Sequence, residues 1–387
     1  MISSQLILLE GLPGAGKTTN ARFIHSQIEL GQLELGRKNA KWIHEVAVPH
    51  PVLLYDEVGL TRGEYRLFLA KFPQAANLFA EIAVFRKNTL SISLPELEWY
   101  CKDKLSSAAV TSKLFPPKSA NDLSSDVYQS LLSFNAWNFP LDAYKKFALE
   151  KWEHFTAEAL KNPDEVFIID SAIFQHQIFS FLFKNTPYEE LQSFIGQITQ
   201  IIRALNPCLI YLHRENADSS INYLENDRGS AYLEYIYNRD KNQPYYANKP
   251  KGAESFKQFL RDYGATADML FDVFPYKKLS VDISGKDWAL YEDKMLNFLN
   301  LKRIPYPDAA LPNGVYTNEA FGFVIKAHGA SITDPAGDER KLFPKSQNEF
   351  YVDWLPVVLR FEGDKIIISG SQIADRWTTT GLIYARG

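Results

Sequence analysis

The chain has 387 residues, 46% hydrophobic and 23% charged, with a formal net charge of −4. That balance allows a large core and more than one domain, and without a long Lys/Arg block it does not favour a nucleic-acid partner. Two cysteines, Cys101 and Cys208, exclude a disulfide framework or a cysteine-rich zinc site and suit a reducing cytoplasmic setting; no apolar run approaches membrane-spanning length and no signal-like segment opens the chain.

The first element is a short apolar strand at residues 5–10, in "SQLILLEGLPGAGKTTNARFI". Ala21, Ile24 and Ile28 then recur at helical spacing, and Gly31 stands where a helix should stop. Further strands are expected at 42–48, 166–170, 208–213 and 279–283, with helices at 141–160, 189–205 and 255–270. Strands alternating with helices predict a parallel sheet with helices on both faces. Residues 61–138 read as mainly helical, with a loop at "FPPKSANDLSSD". After the proline-rich "KRIPYPDAALPNG", short β runs at 314–317, 321–328, 356–361, 366–369 and 381–385 predict a small all-β module over 306–387. The expected fold class is therefore α/β with a small C-terminal all-β module, divided as residues 1–303 and 306–387.

Between the first strand and its helix, Gly11 to Thr18 fits G-x-x-x-x-G-K-[ST], with Pro13 and Ala15 among the variable positions and Thr19 following. Gly11, Gly14 and Gly16 let the backbone curl its N–H groups around phosphate oxygens, and the new helix adds its own unpaired N–H groups. Lys17 can reach the β- and γ-phosphates, and Thr18 can ligate Mg²⁺. Asp170 ends the apolar run "VFIID" and offers a second magnesium ligand. A P-loop NTPase sheet binding ATP and Mg²⁺ is the expectation. Arg214, Arg228 and Arg239 follow the strand in "NPCLIYLHRE" and could close over a transferring phosphoryl group, Arg228 being the best placed.

This order resembles the thymidylate and nucleoside kinase group of P-loop kinases over residues 1–301, with a large insertion at about 61–163. "GLPGAGKTT" matches the P-loop, Asp170 the acidic strand end, "NPCLIYLHRE" the strand before the lid, and Arg228 the lid arginine. Asp170 is followed by Ser171 where the group usually has arginine. The resemblance implies a Mg·ATP-dependent kinase whose small-molecule acceptor is a nucleoside, a nucleotide or a natural product.

"PVLLYDEVG" supplies Asp56 and Glu57, which could orient or deprotonate the acceptor hydroxyl. Alternatively they form a Walker B, making the chain a P-loop ATPase or nucleotide-dependent switch whose β module binds a partner. Trp99, Tyr100, Trp137 and Trp152 offer aromatic rings, one or two of which are expected in an acceptor pocket; His176 reads as part of a packed helix. "RKLFPKSQNEFYVDWLPVVLRFEGDKI" resembles the small β domain appended to some serine β-lactamase-like hydrolases, without a nucleophile arrangement. A packing, dimerisation or pocket-covering module is the expectation there, and a homodimer stays open.

Overall fold

A computed structural model of the chain describes residues 3–35, 39–100, 125–311 and 313–387. Strand β1 (Leu6–Gly11) passes through the glycine-rich turn into α1 (Lys17–Leu35), and β2 (Asn39–Ile43) follows. Then come β3 (Glu57–Thr61), α2 (Arg62–Lys71), α3 (Ala76–Ile82), β4 (Val84–Phe85), β5 (Thr89–Ser93), α4 (Leu94–Tyr100), α5 (Ser125–Leu132) and α6 (Leu141–Leu160). The chain continues with β6 (Glu165–Asp170), α7 (Gln175–Phe183), α8 (Tyr188–Ile202), β7 (Cys208–His213), α9 (Ala217–Arg228) and α10 (Ser230–Asp240). Helix α11 (Ala253–Val273), β8 (Lys277–Asp282) and α12 (Trp288–Phe298) precede the C-terminal strands. Those are β9 (Gly314–Asn318), β10 (Phe323–His328), β11 (Ser331–Thr333), β12 (Glu339–Pro344), β13 (Glu349–Val352), β14 (Val357–Glu362), β15 (Lys365–Gly370) and β16 (Ile383–Arg386).

These elements form two compact units, Met1–Glu45 with Phe155–Ile304, and Val46–His154 with Pro305–Gly387. One boundary falls between Ile304 and Pro305, and residues 46–154 group with the C-terminal strands while residues 155–163 of the expected insertion group with the first unit.

The first unit is α/β. Its five-stranded sheet has the order β2-β6-β1-β7-β8, and all four neighbouring pairs are parallel. All six residues of β1 are buried, which is why the strand reads as a continuous apolar run rather than an alternating one. Ile7, Leu9, Ile168 and Ile210 pack with Ala21, Ile24 and Ile28 of α1 and Met295 of α12. On the opposite face Tyr211 stacks on Phe271 of α11 at 5.3 Å and donates its hydroxyl to Asp268 at 2.8 Å. The order changes direction about β1, with β2 and β6 on one side and β7 and β8 on the other, the switch point at whose carboxyl end open α/β sheets generally bind ligands.

Two local expectations change here. Helix α1 runs through Gly31 to Leu35; an interior glycine costs about 1 kcal/mol, which the burial of Ile28 and Leu30 outweighs. The second strand lies three residues earlier than expected, with Trp42 opposite Ile168. The apolar residues that suggested a later strand are used in the second unit, where Val46 packs on the barrel core, Ala47 bridges Ile373 and the Val48 N–H donates to Gln372 O at 3.0 Å.

In the second unit, residues expected to be mainly helical also contribute β4 and β5 to a three-stranded antiparallel sheet, order β3-β5-β4. Val58, Leu60, Leu90 and Ile92 pack there with Phe68, Phe79 and Leu131. Residues 115–124 of the expected loop, and Cys101, lie outside the described residues. The eight C-terminal strands close into an antiparallel barrel, β9 pairing with both β10 and β16. Tyr316, Ile325, Leu359, Ile366 and Tyr384 fill it. Strands β11 to β13, absent from the sequence reading, are short and carry Glu339, Arg340 and Lys341 among their apolar residues, so no clean period marks them. No helix among the described residues is long and apolar enough to cross a membrane.

Candidate functional site

The site lies at the carboxyl ends of β1 and β6, in the first unit. Gly11 has no room for a side chain, because a Cβ there would lie 2.3 Å from the Leu212 carbonyl oxygen of the neighbouring β7. Gly16 has φ +80°, and a Cβ would meet the Trp288 ring at 3.0 Å. The turn between them therefore depends on glycine for both close approach and left-handed backbone. Pro13 and Gly14 are half-buried, Ala15 is buried and donates its N–H to Leu12 O at 3.1 Å, and Thr19 is exposed.

Lys17 is the first residue of α1 and is folded back into the turn, its Nζ donating to Gly11 O at 3.0 Å and Leu12 O at 3.1 Å. Tyr263 of α11 also donates to Gly11 O, at 3.2 Å. The Gly11 carbonyl thus accepts from two donors. Burial pulls the Lys17 ammonium below its ordinary value, against the opposing pull of Glu45, Glu10 and Asp170. Beside it, Thr18 Oγ1 donates to Asp170 Oδ2 at 2.8 Å, and Trp42 Nε1 to Oδ1 at 3.3 Å. Thr18 and Asp170, 152 positions apart, thus meet because β6 and β1 are parallel neighbours with Leu9 opposite Asp170. Burial raises the Asp170 carboxyl. Among the described residues no group of three or more His, Cys, Asp and Glu forms a metal site.

Three residues that the sequence reading did not select complete the surroundings of Lys17. Glu10 ends β1 and accepts the N–H groups of Ile173 at 2.7 Å, Phe174 at 2.9 Å and Gln175 at 3.2 Å, pinning the start of α7 to the glycine turn. Burial pushes its carboxyl up to about 7 despite those bonds and the Lys17 charge. Glu45, two residues beyond β2, holds its carboxyl below the ordinary value, because Lys17, His44 and His176 together outweigh burial. The Gln175 amide donates to Glu45 Oε2 at 3.3 Å. His176, expected only in packing, is half-buried at the start of α7, and burial pulls its imidazole down to about 4. A carboxylate next to the first glycine, and one just past the second strand, were the available signals; the misplaced second strand concealed Glu45.

The arginines divide. Arg228, at the end of α9, is exposed, donates to Tyr232 OH at 3.0 Å, and is near enough to act on Lys17 electrostatically. Gly229 follows it at φ +81°. Arg214 is buried, donates to Ile283 O at 3.2 Å and lies over the Tyr223 ring at 4.0 Å. Arg239 grips Asp240 through two hydrogen bonds of 2.8 and 2.6 Å.

Asp56 and Glu57 do not end a strand of the parallel sheet. Residues 51–54 form no strand, since the His50 ring accepts the N–H groups of Val52 and Leu53 at 3.1 and 2.9 Å and bends the chain. Asp56 has φ +50°, and Glu57 opens β3 of the antiparallel sheet in the second unit. Its Oε1 is 2.5 Å from Lys151 Nζ, with both side chains buried. Trp137 and Trp152 also belong to that unit, Trp152 fully buried, while the Trp99 side chain lies outside the described residues.

No protein-family model matches the chain, and no curated protein matches it.

Proposed function

We propose that the chain is a P-loop kinase transferring the γ-phosphoryl group of ATP to a small-molecule acceptor, with Mg²⁺. The observation that carries this reading is the Thr18–Asp170 bond beside a lysine enclosed by a turn in which Gly11 leaves no room for a side chain and Gly14 and Gly16 have positive φ. Thr18 and Asp170 present the hard oxygen ligands that suit Mg²⁺, which keeps its other positions for phosphate oxygens and water. Bound there, Mg²⁺ would neutralise charge on the phosphate oxygens. Lys17 would hold the β- and γ-phosphates, with Arg228 closing over the transferring group.

The role first considered for Asp56 or Glu57 passes to Glu45, whose carboxylate faces Lys17 from beyond β2. The acceptor oxygen bonds to Pγ as its proton passes to Glu45, and the bond from Pγ to the β,γ-bridging oxygen breaks with its electron pair leaving on ADP. A Walker B role for Asp56 and Glu57 finds no support in a buried ion pair on a separate antiparallel sheet.

The test is acceptor-dependent ADP release from Mg·ATP. Lys17→Ala, at unchanged melting temperature, should lower it by at least about 100-fold. Near-normal turnover in folded Lys17→Ala protein would end the kinase reading.

A further inference from the structure

From the side of Lys17 that faces β6 and β2, we infer that the acceptor is a neutral, hydroxyl-bearing compound and not a phosphomonoester. The inference rests on the kinase reading and narrows it. The nucleotide phosphates belong over the end of β1, where Arg228 at the end of α9 acts on Lys17. The acceptor then belongs beside them, where Glu45 stands past β2 and α7 begins after β6.

Two observations there point the same way. The first is charge. Glu45 acts on Asp170 as well as on Lys17, and Glu10 also acts on Lys17, so a hydroxyl placed for Glu45 enters a group rich in carboxylates. The guanidinium that reaches His176 from α10 is that of Arg239, and two of its nitrogens are already bonded to Asp240. A phosphate dianion would meet carboxylates there, with Lys17 given to the nucleotide and Arg239 held by Asp240, whereas enzymes that hold an acceptor phosphate use arginine forks aimed at it.

The second is an unsatisfied acceptor. Gln175 gives its amide nitrogen to Glu45, which fixes the orientation of the amide, because a carboxylate can only accept. Its Oε1 is buried and has no hydrogen-bond partner among the described residues. A carbonyl oxygen so left calls for an N–H or O–H donor. A nucleobase imide or amine, or a second hydroxyl of a polyol, supplies one; a phosphate dianion supplies only oxygens that accept. Gln175 therefore reads as a specificity residue beside the reacting hydroxyl.

The experiment uses the full chain with Mg·ATP and matched probes: thymidine, deoxycytidine, adenosine and guanosine beside their 5′-monophosphates, and ribose beside ribose 5-phosphate. ADP release and ³¹P spectra of the products are read for each pair. At least one neutral member should be turned over with kcat/KM on the order of 100-fold above its phosphorylated partner. Gln175→Leu should raise KM for that acceptor about tenfold and leave KM for ATP unchanged, a split that a merely structural residue would not give. A phosphorylated member used as well as or better than its neutral partner overturns the inference while the kinase reading stands. No ADP release above the water background with any probe counts against the kinase reading itself, and the inference goes with it.

Discussion

Replacing Glu57 by glutamine removes one half of an ion pair in which neither side chain reaches water: Glu57 Oε1 and Lys151 Nζ are 2.5 Å apart, at 1% and 0% exposure. Glu57 Oε2 has no hydrogen-bond partner among the described residues, so the pair is held by one short contact. Burial already pulls the Lys151 ammonium down to about 8, with Glu57 the main influence opposing it. Without that carboxylate, the ammonium must stay charged and uncompensated or give up its proton. Breaking buried pairs of this kind costs about 3–5 kcal/mol, which for a unit of this size is a fall in melting temperature of about 6–20 °C. Because the lysine's folded pKa lies below its unfolded value, the penalty is full below the folded pKa and eases as pH rises towards 10. Thermal unfolding at pH 7 and pH 9.5 measures both effects, and Glu57→Met with Lys151→Met should recover most of the loss. Nucleotide affinity of the folded variant should stay unchanged. If Glu57→Gln melts with the wild type and instead traps ATP, the carboxylate serves the nucleotide and its assignment as a structural ion pair is wrong.

Other residues give separate tests. Glu45→Gln should lower kcat for phosphoryl transfer by about 10²–10⁴-fold while calorimetry finds ATP affinity within about threefold of wild type; full activity would remove Glu45 from the mechanism. Glu10 has a folded pKa of about 7, above its ordinary 4.5, so the folded chain binds more protons in that window and Glu10 contributes less stability as pH rises through it. The stability of wild type relative to Glu10→Gln should therefore fall by up to about 3 kcal/mol between pH 4.5 and 8, and denaturation curves that shift in parallel would contradict the burial argument. Gly11→Ala should cost about 1–3 kcal/mol and abolish nucleotide binding, since the methyl carbon must displace β7 from 2.3 Å, whereas Gly229→Ala, with nothing within 4 Å, meets only backbone strain. Equal effects of the two changes on melting and ATP binding would show that the approach of β7 does not matter.

The strand, glycine turn and helix around Lys17 were legible because each residue type there is dictated by local backbone geometry or by one ligand chemistry. The same holds for β7, whose bounds come directly from the apolar run Cys208–His213, and for α6, whose buried face repeats at helical spacing. Long-range pairing has no such signature. Whether Val46 to Val48 extended β2 or served the barrel depended on a partner more than 300 positions away, at Gln372 and Ile373. "LLYDE" has the composition of a strand ending in carboxylates, and two hydrogen bonds to His50 with the Lys151 partner place it elsewhere. Glu10, Glu45 and His176 lie far apart in sequence and gather around one ammonium only after β2, β6 and β1 align in parallel. Closure of the barrel likewise rests on β9 finding β16, a contact between chain segments that no local pattern encodes. The sequence by itself determined the strand, glycine turn and helix around Lys17; tertiary structure alone decided which carboxylates surround it, because charge acts through distance in space and not along the chain.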